Sequence, residues 1–250
     1  MPTQVLNCRC ALWICCLIGA SAVQAQDQCG PELIRQWTEQ HAEVHAVRTR
    51  LTFIRTDSHF EQIEVGQGEL SFRLPGVMRY DLFPLPPEEL QAWTERQKTP
   101  YSVRSVKPLS LAFDANVIEL RTVEETITAS DGPDQRDAFS RMVRQWFFEP
   151  LRRSLCFLPG APDKAILDDW SFRLERETAE FLYVEGTRKQ NRSEKIRLCF
   201  QKSPLELHAI RIPALGGHSQ TTLIFTEVRF HSSDFVSHDM AESSVMKRFP

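Results

Sequence analysis

Two histidines four residues apart have the spacing in this sequence that most resembles a metal site. On one helix face, His41 and His45 could share a zinc ion through their imidazoles. A zinc protease motif needs Glu directly after the first His, but Glu43 lies two residues along, and no third ligand is evident. We interpret both residues as half-exposed helix histidines, and we expect neither a metal nor any other cofactor.

Other catalytic patterns are also missing. The sequence has no G-x-S-x-G elbow, no S-x-x-K set and no phosphate-binding G-x-x-x-x-G-K-[ST] loop. Two acidic pairs occur, Glu124-Glu125 and Asp168-Asp169. Neighbouring residues of a strand point to opposite faces, so neither pair can converge on one substrate. The sequence therefore favours a protein that is not an enzyme.

The first 25 residues are typical of an export signal. Arg9 is the first charged side chain and Asp27 the next, and an apolar run lies between them. This run is shorter than the ~20 residues of a membrane-spanning helix. Small residues at Val23 and Ala25 predict a signal peptide over residues 1–25, cleaved after Ala25. The alternative is an uncleaved membrane anchor.

Three cysteines remain after this signal: Cys29, Cys156 and Cys199. An exported chain can form disulfides, and three cysteines allow one internal bridge with one thiol left over. The sequence does not choose the pair. Cys156 and Cys199 lie in apolar surroundings, so buried free thiols are an equally good interpretation.

Two helices and a series of strands would position these side chains. A helix is predicted to begin at Gly30-Pro31, and its apolar stripe contains Leu33, Ile34, Trp37, His41, Val44 and His45. A second apolar stripe, with Trp146 and Phe147, predicts a mid-chain helix that ends at Pro150. A short surface helix is predicted over residues 86–98. Strands are predicted around residues 47–55, 60–72, 110–113, 117–129, 170–176, 180–189, 194–201, 205–212 and 221–230, with a turn at residues 114–116.

The stretch GELSFRLPGVMRYDL predicts a β-hairpin bent at Pro75-Gly76. A two-residue loop would pair Phe72 with Arg79 and mix apolar and charged side chains on each face. A three-residue loop over residues 74–76 instead pairs Phe72 with Met78 and keeps the faces separate. A one-residue slip turns every side chain over, so burial favours the three-residue loop.

This hairpin resembles that of the LolA-like proteins, the periplasmic carriers of outer-membrane lipoproteins and relatives such as the regulator RseB. The family pattern G-x-L-x-x-x-x-P-G-x-x-R-[WY]-[DE] is matched by Gly68, Leu70, Pro75, Gly76, Arg79, Tyr80 and Asp81. Carriers usually have a basic residue directly before the Pro, and here that residue is Leu74. Residues 84–108 look like an insertion relative to the family.

The resemblance implies an α+β fold, an open, strongly curved antiparallel β-sheet (a half-barrel) wrapped around helices. Residues 26–250 would form one such domain. Its concave face would hold acyl chains of a lipoprotein or lipid during transfer toward the outer membrane. The cavity would be lined by Phe53, Leu70, Phe72, Met78, Tyr80, Leu82, Trp146 and Phe147, and its lid or loop would contain Leu74, Pro75, Gly76 and Arg79.

The partners implied are an acylated lipoprotein or lipid and the transfer proteins of the inner and outer membranes. We expect a periplasmic monomer. A net charge of −3 gives no basic footprint for nucleic acid. The alternative function is a periplasmic signalling or scaffold module of the same fold that binds a protein partner.

Overall fold

The structure is a computed structural model that describes residues 30–73, 77–114, 117–123, 126–130, 168–213 and 217–231. The predicted signal peptide, the predicted mid-chain helix with Trp146 and Phe147, and the hairpin loop with Leu74, Pro75 and Gly76 lie outside these residues. So do Cys29 and Cys156, and the signal cleavage site and domain boundaries stay predictions.

Two helices and twelve strands are formed by the described residues. They are α1 (30–40), β1 (Ala46–Asp57), β2 (Gln62–Arg73), β3 (Val77–Pro84), α2 (Pro87–Gln97), β4 (Ser102–Ser105), β5 (Leu109–Asp114), β6 (Val117–Thr122), β7 (Thr126–Ser130), β8 (Trp170–Glu177), β9 (Phe181–Arg188), β10 (Lys195–Lys202), β11 (Leu205–Pro213) and β12 (Ser219–His231).

All twelve strands belong to one sheet. Eleven of them follow the order β7-β6-β5-β3-β2-β1-β12-β11-β10-β9-β8 and pair antiparallel. The last strand along the chain, β12, pairs with the first strand along the chain, β1. This pair lies inside the sheet and joins the two β-meanders. Strands β7 and β8 are the two ends of this order, so the sheet is open within the described residues. The predicted α+β fold with an open antiparallel sheet is confirmed.

Three irregularities bend the sheet on the β12 side. Register shifts occur between Arg48 and Arg50 of β1, in the β10–β11 pair and in the β8–β9 pair. At the first shift, Glu227 of β12 has a positive φ of 53°. A bulge places an extra residue in one strand, bends it and increases its twist. Each of these register shifts is therefore a point at which a strand can bend and twist.

The hairpin has the predicted register. Phe72 pairs with Met78, Leu70 with Tyr80, and Arg73 with Val77. Three residues, 74–76, therefore connect the strands. Apolar side chains are kept on one face of the hairpin, which is the reason for expecting this loop length.

The first helix is shorter than its apolar stripe predicted. It begins at residue 30, as expected, but ends at residue 40, and residues 41–43 form a turn. The chain must turn here because β1 begins only a few residues later. Its Val47 is fully buried and pairs with Phe72 of β2 and Phe230 of β12. The prediction of two half-exposed helix histidines was wrong: His41 is buried just after the helix, and His45 is exposed before β1.

The segment between β3 and β5 contains the predicted surface helix and an unpredicted strand. None of the α2 residues is buried, and Lys98 ends the helix with a positive φ of 47°. Strand β4 then pairs with β2 at Gln62–Val65 and is parallel to it. Strand β3 pairs with β2 only from Gly66 onward, so β4 pairs with the part of the same β2 edge that β3 does not reach.

Candidate functional site

The described residues form two buried apolar clusters on opposite faces of the sheet. The smaller contains Ile63 and Val65 of β2 and lies under α2, and the larger lies on the face against which α1 packs, which we call the inner face. Strand alternation aims every second side chain at this face. The main buried cluster of the described residues lies here, and its members are Ile34, Trp37, Leu51, Leu70, Met78, Tyr80, Leu82, Val106, Leu111, Leu120, Trp170, Phe172, Val184, Ile196, Leu198, Phe200, Leu207, Ile210, Leu223 and Phe225.

The described cavity candidates share this face. Leu70, Met78, Tyr80 and Leu82 are between 0% and 6% exposed. Phe53 and Phe72, which lie six residues apart along the β1–β2 pair, are partly buried and pack against the same cluster. In the part of the chain that the structure describes, the inner face between β1 and β5 is therefore a buried apolar surface.

Helix α1 covers the β8–β12 side of the inner face. Its Trp37 ring lies 5.7 Å from the ring of Phe200 in β10. At the helix start, a Cβ on Gly30 would lie 2.8 Å from the backbone of Phe172 in β8. Glycine thus allows the helix to lie directly on the strand, and a single apolar stripe is enough to bury it.

The sequence reasoning missed part of this face. Leu111 of β5 and Leu120 of β6 continue it beyond Tyr80 and Leu82, and strand alternation could have identified them. Val106 carried no such signal, because it lies in the loop between β4 and β5. It fits over Gly66, where a Cβ would lie 2.3 Å from a Val106 methyl carbon.

The opposite, outer face of the hairpin is held by ion pairs. The Asp81 carboxylate is buried, and it accepts hydrogen bonds from Arg79 Nε at 2.9 Å and Ser110 Oγ at 2.6 Å. Glu69, directly across from Asp81, lies 3.7 Å from both Arg48 and Arg50. Each of the facing carboxylates thus has cationic partners of its own.

These ion pairs place Arg79, a lid candidate, on the face away from the apolar core. Arg79 and Asp81 are two residues apart in one strand, so both point outward and Tyr80 between them points inward. On this face Asp81 is also tied to β5 by its hydrogen bond from Ser110.

Tyr80 is the exception among the apolar residues of the core. Among the described residues, its hydroxyl is buried with no hydrogen-bond partner. Burial raises the pKa of this phenol well above its ordinary value of 10.0. The hydroxyl therefore stays neutral, and it can donate one hydrogen bond and accept others.

The buried histidine packs against helix α1 and the sheet, and the described cysteine lies in strand β10. His41 Nδ1 donates to the Trp37 carbonyl at 2.9 Å, and its ring packs 4.9 Å from that of Phe230. Cys199 is a free, half-buried thiol whose pKa is raised by burial. Within the described ranges, no group of three or more His, Cys, Asp or Glu could hold a metal ion.

Neither described helix is long and apolar enough to cross a membrane. Within the described residues, what the inner face offers chemically is burial of hydrocarbon, together with the unpaired hydroxyl of Tyr80.

Comparisons by sequence give no match: no protein-family model and no curated protein matches the chain. Comparison with solved structures finds similar ones. A putative outer membrane lipoprotein-sorting protein domain from Vibrio parahaemolyticus is 9% identical, with 89% of this chain and 100% of that chain covered and a TM-score of 0.39.

Two further structures belong to the same set of neighbours. The lipoprotein LppX from Mycobacterium tuberculosis is 9% identical, covering 79% of this chain and 95% of that chain, with a TM-score of 0.37. A LolA superfamily protein from Nitrosomonas europaea is 8% identical, covering 79% and 93%, with a TM-score of 0.32. The neighbours thus include the superfamily that the hairpin motif resembles. At these identities and TM-scores, they carry no function to this chain.

Proposed function

We propose that the protein is an exported, non-enzymatic carrier that holds acyl chains of a lipid or lipoprotein against the inner face of its sheet. The observation that supports this most is the separation of the two faces. The hairpin directs Leu70, Met78 and Leu82 to one side and the ion pairs of Asp81 and Glu69 to the other.

Physical chemistry gives such a face a use in lipid transfer. Burying a methylene group contributes about 0.8 kcal/mol, so a chain of about a dozen methylenes favours an apolar surface over water by about 10 kcal/mol. A carrier must offer that surface without covalent chemistry. The core described here would supply it by exchanging side-chain contacts for contacts with the ligand.

The half-buried residues suggest where this exchange begins. Phe53 and Phe72 are in contact with the buried cluster, yet they keep part of their surface exposed. Phe72 pairs with Met78 close to the hairpin loop. An acyl chain that took the place of water and side-chain contacts at the exposed part of these phenylalanines would reach the buried leucines without unfolding a strand.

Export completes the proposal. The predicted signal peptide over residues 1–25 would deliver the chain out of the cytoplasm. There, acylated cargo has to cross water to reach the outer membrane. Transfer proteins at the two membranes are the partners that this route would need.

Native mass spectrometry of the protein purified from its exporting cell tests the proposal. We expect extra mass that is removed by solvent extraction and identified as lipid or acylated peptide. The variants Phe72→Asp and Ser71→Asp form a matched pair, because these neighbours point to opposite faces of β2. Phe72→Asp should lose the extra mass, and Ser71→Asp should keep it. A bare chain that instead copurifies with one protein partner would contradict the carrier and support the signalling or scaffold alternative.

A further inference from the structure

The Tyr80 hydroxyl is a polar group in an apolar place. Its ring is 5% exposed, and its strand neighbours across β2 and β5 are Leu70 and Leu111, which are both at most 1% exposed. Met78 and Leu82 flank it on its own strand and face the same way. In the part of the chain described, nothing pairs with the hydroxyl.

An unpaired buried hydroxyl is unfavourable. Moving a hydroxyl out of water without a new hydrogen bond costs about 1–3 kcal/mol in proteins. Phenylalanine would fill the same space without this cost. Tyrosine at this position therefore indicates that the oxygen gains a partner in a state other than the ligand-free one.

The surroundings define which partner suits the hydroxyl. The phenol donates one hydrogen bond and carries no positive charge, so it would not by itself balance the charge of an anion. Three nearby cations are paired on the outer face: Arg79 of the hairpin bonds to Asp81, and Arg48 and Arg50 of β1 lie by Glu69. A phosphate or free carboxylate at Tyr80 would thus lack the cations of the outer face, whereas a carbonyl needs none.

We propose that the Tyr80 hydroxyl donates a hydrogen bond to the carbonyl oxygen at the head of a bound acyl chain. This inference rests on the proposed function and makes it more specific. The ligands of the inner face are then acyl esters and amides, in preference to alkyl ethers of equal length. The carbonyl is fixed at β3, and the chain extends along the apolar side chains of β2 and β1.

The Arg79–Asp81 bond contributes to this recognition from the other face. A strand that turned over at residue 80 would direct Arg79 and Asp81 together into the core and would separate Asp81 from Ser110. Burying this ion pair in an apolar core would be unfavourable, so the pair favours the orientation in which Tyr80 faces the ligand side. In this account, Arg79 and Asp81 are positioning residues and Tyr80 is the binding residue.

Two lipids that differ only in the carbonyl test the inference. Monopalmitoyl glycerol is an ester, and hexadecyl glycerol ether has the same head group and chain length without the carbonyl. Binding of both to the delipidated exported protein is measured by titration calorimetry below their micelle concentrations. We expect the ester to bind about three- to tenfold more tightly, as one neutral hydrogen bond would give.

The variant Tyr80→Phe should remove this preference and leave the affinity for the ether unchanged. Its ligand-free stability in urea should equal or exceed that of the natural protein, because an unpaired hydroxyl is lost. Tyr183→Phe is the matched control. Tyr183 lies in β9 on the outer face, with the Arg176 guanidinium 4.1 Å from its ring centre. This variant should keep the preference for the ester.

Three results would overturn the inference. The first is equal affinity of the natural protein for ester and ether. The second is a preference that persists in Tyr80→Phe. The third is a loss of ligand-free stability in Tyr80→Phe, which would mean that the hydroxyl already has a partner. If neither lipid binds at all, the proposed function itself fails, and this inference fails with it.

Discussion

Replacing Asp81 by Ala tests how the outer face holds the hairpin. Asp81 is 3% exposed and accepts two hydrogen bonds, from Arg79 Nε at 2.9 Å and Ser110 Oγ at 2.6 Å. Both bonds disappear in the variant. The Ser110 hydroxyl loses an acceptor, while the partly exposed Arg79 guanidinium can still be hydrated.

The size of the effect follows from these partners. A hydrogen bond to a charged group contributes about 1.5–3 kcal/mol. Glu69 lies directly across from Asp81, so removing the Asp81 charge also relieves a like-charge repulsion. This relief offsets the loss of unfolding free energy by up to about 1 kcal/mol. We expect Asp81→Ala to lower the free energy of unfolding by about 2 kcal/mol. Ser110→Ala, which leaves the Arg79 bond in place, should lower it by about 1 kcal/mol.

Urea unfolding followed by tryptophan fluorescence measures these changes. Glu69→Gln is the control, because it keeps both bonds to Asp81 and removes the facing charge. It should stay within about 1 kcal/mol of the natural protein. If Asp81→Ala were as stable as the natural protein, or more stable, the pair would not hold the strand. The assignment of Arg79 and Asp81 as positioning residues would then be refuted.

Three further predictions concern the core and the thiol. Leu111→Ala should lower the free energy of unfolding by about 2–5 kcal/mol in the same urea assay, whereas Val123→Ala, at an exposed position, should change it by less than about 0.5 kcal/mol. Equal effects would contradict the buried inner face. Gly66→Ala should lower it by about 1–3 kcal/mol, since the new Cβ meets the buried Val106; an unchanged value would refute this contact. Cys199 alkylation by iodoacetamide, followed by peptide mass spectrometry, should keep accelerating above pH 9.0, because burial raises the thiol pKa; a plateau at lower pH would show that the pKa is not raised.

The strands and the hairpin register could be predicted from the sequence for a simple physical reason. Apolar and polar residues alternate in nearly every strand, and one face must be buried. In the hairpin, this requirement is enough to select the loop of residues 74–76, because the shorter loop would pair Phe72 with Arg79. The same alternation identified Leu70, Met78, Tyr80 and Leu82 as residues of one face.

Other features depend on tertiary contacts that a local pattern does not contain. Strand β4 has the sequence SVRS and is placed by its pairing with β2, not by an apolar pattern of its own. The end of α1 is fixed by the burial of Val47 in β1, although the apolar stripe continues to His45. Val106 enters the core because Gly66 leaves room for it.

The unpaired hydroxyl of Tyr80 was likewise beyond sequence reasoning. The motif allows either Trp or Tyr at this position, and alternation predicts only that the side chain faces inward. Whether its oxygen has a partner depends on which side chains surround it in three dimensions. The structure surrounds it with aliphatic side chains, and this makes it the polar feature of the candidate site.

Photocrosslinking tests the central claim, that acyl chains lie against the inner face, most directly. A palmitoyl lipid with a diazirine near the end of its chain is bound to the exported protein, irradiated, and located by peptide mass spectrometry. The account predicts labels on inner-face residues of β1, β2 and β3, such as Phe53, Phe72 and Met78, with competition by unlabelled palmitoyl lipid. Labels confined to α2 or to the ion-paired outer face, or labels that no competitor reduces, would contradict it.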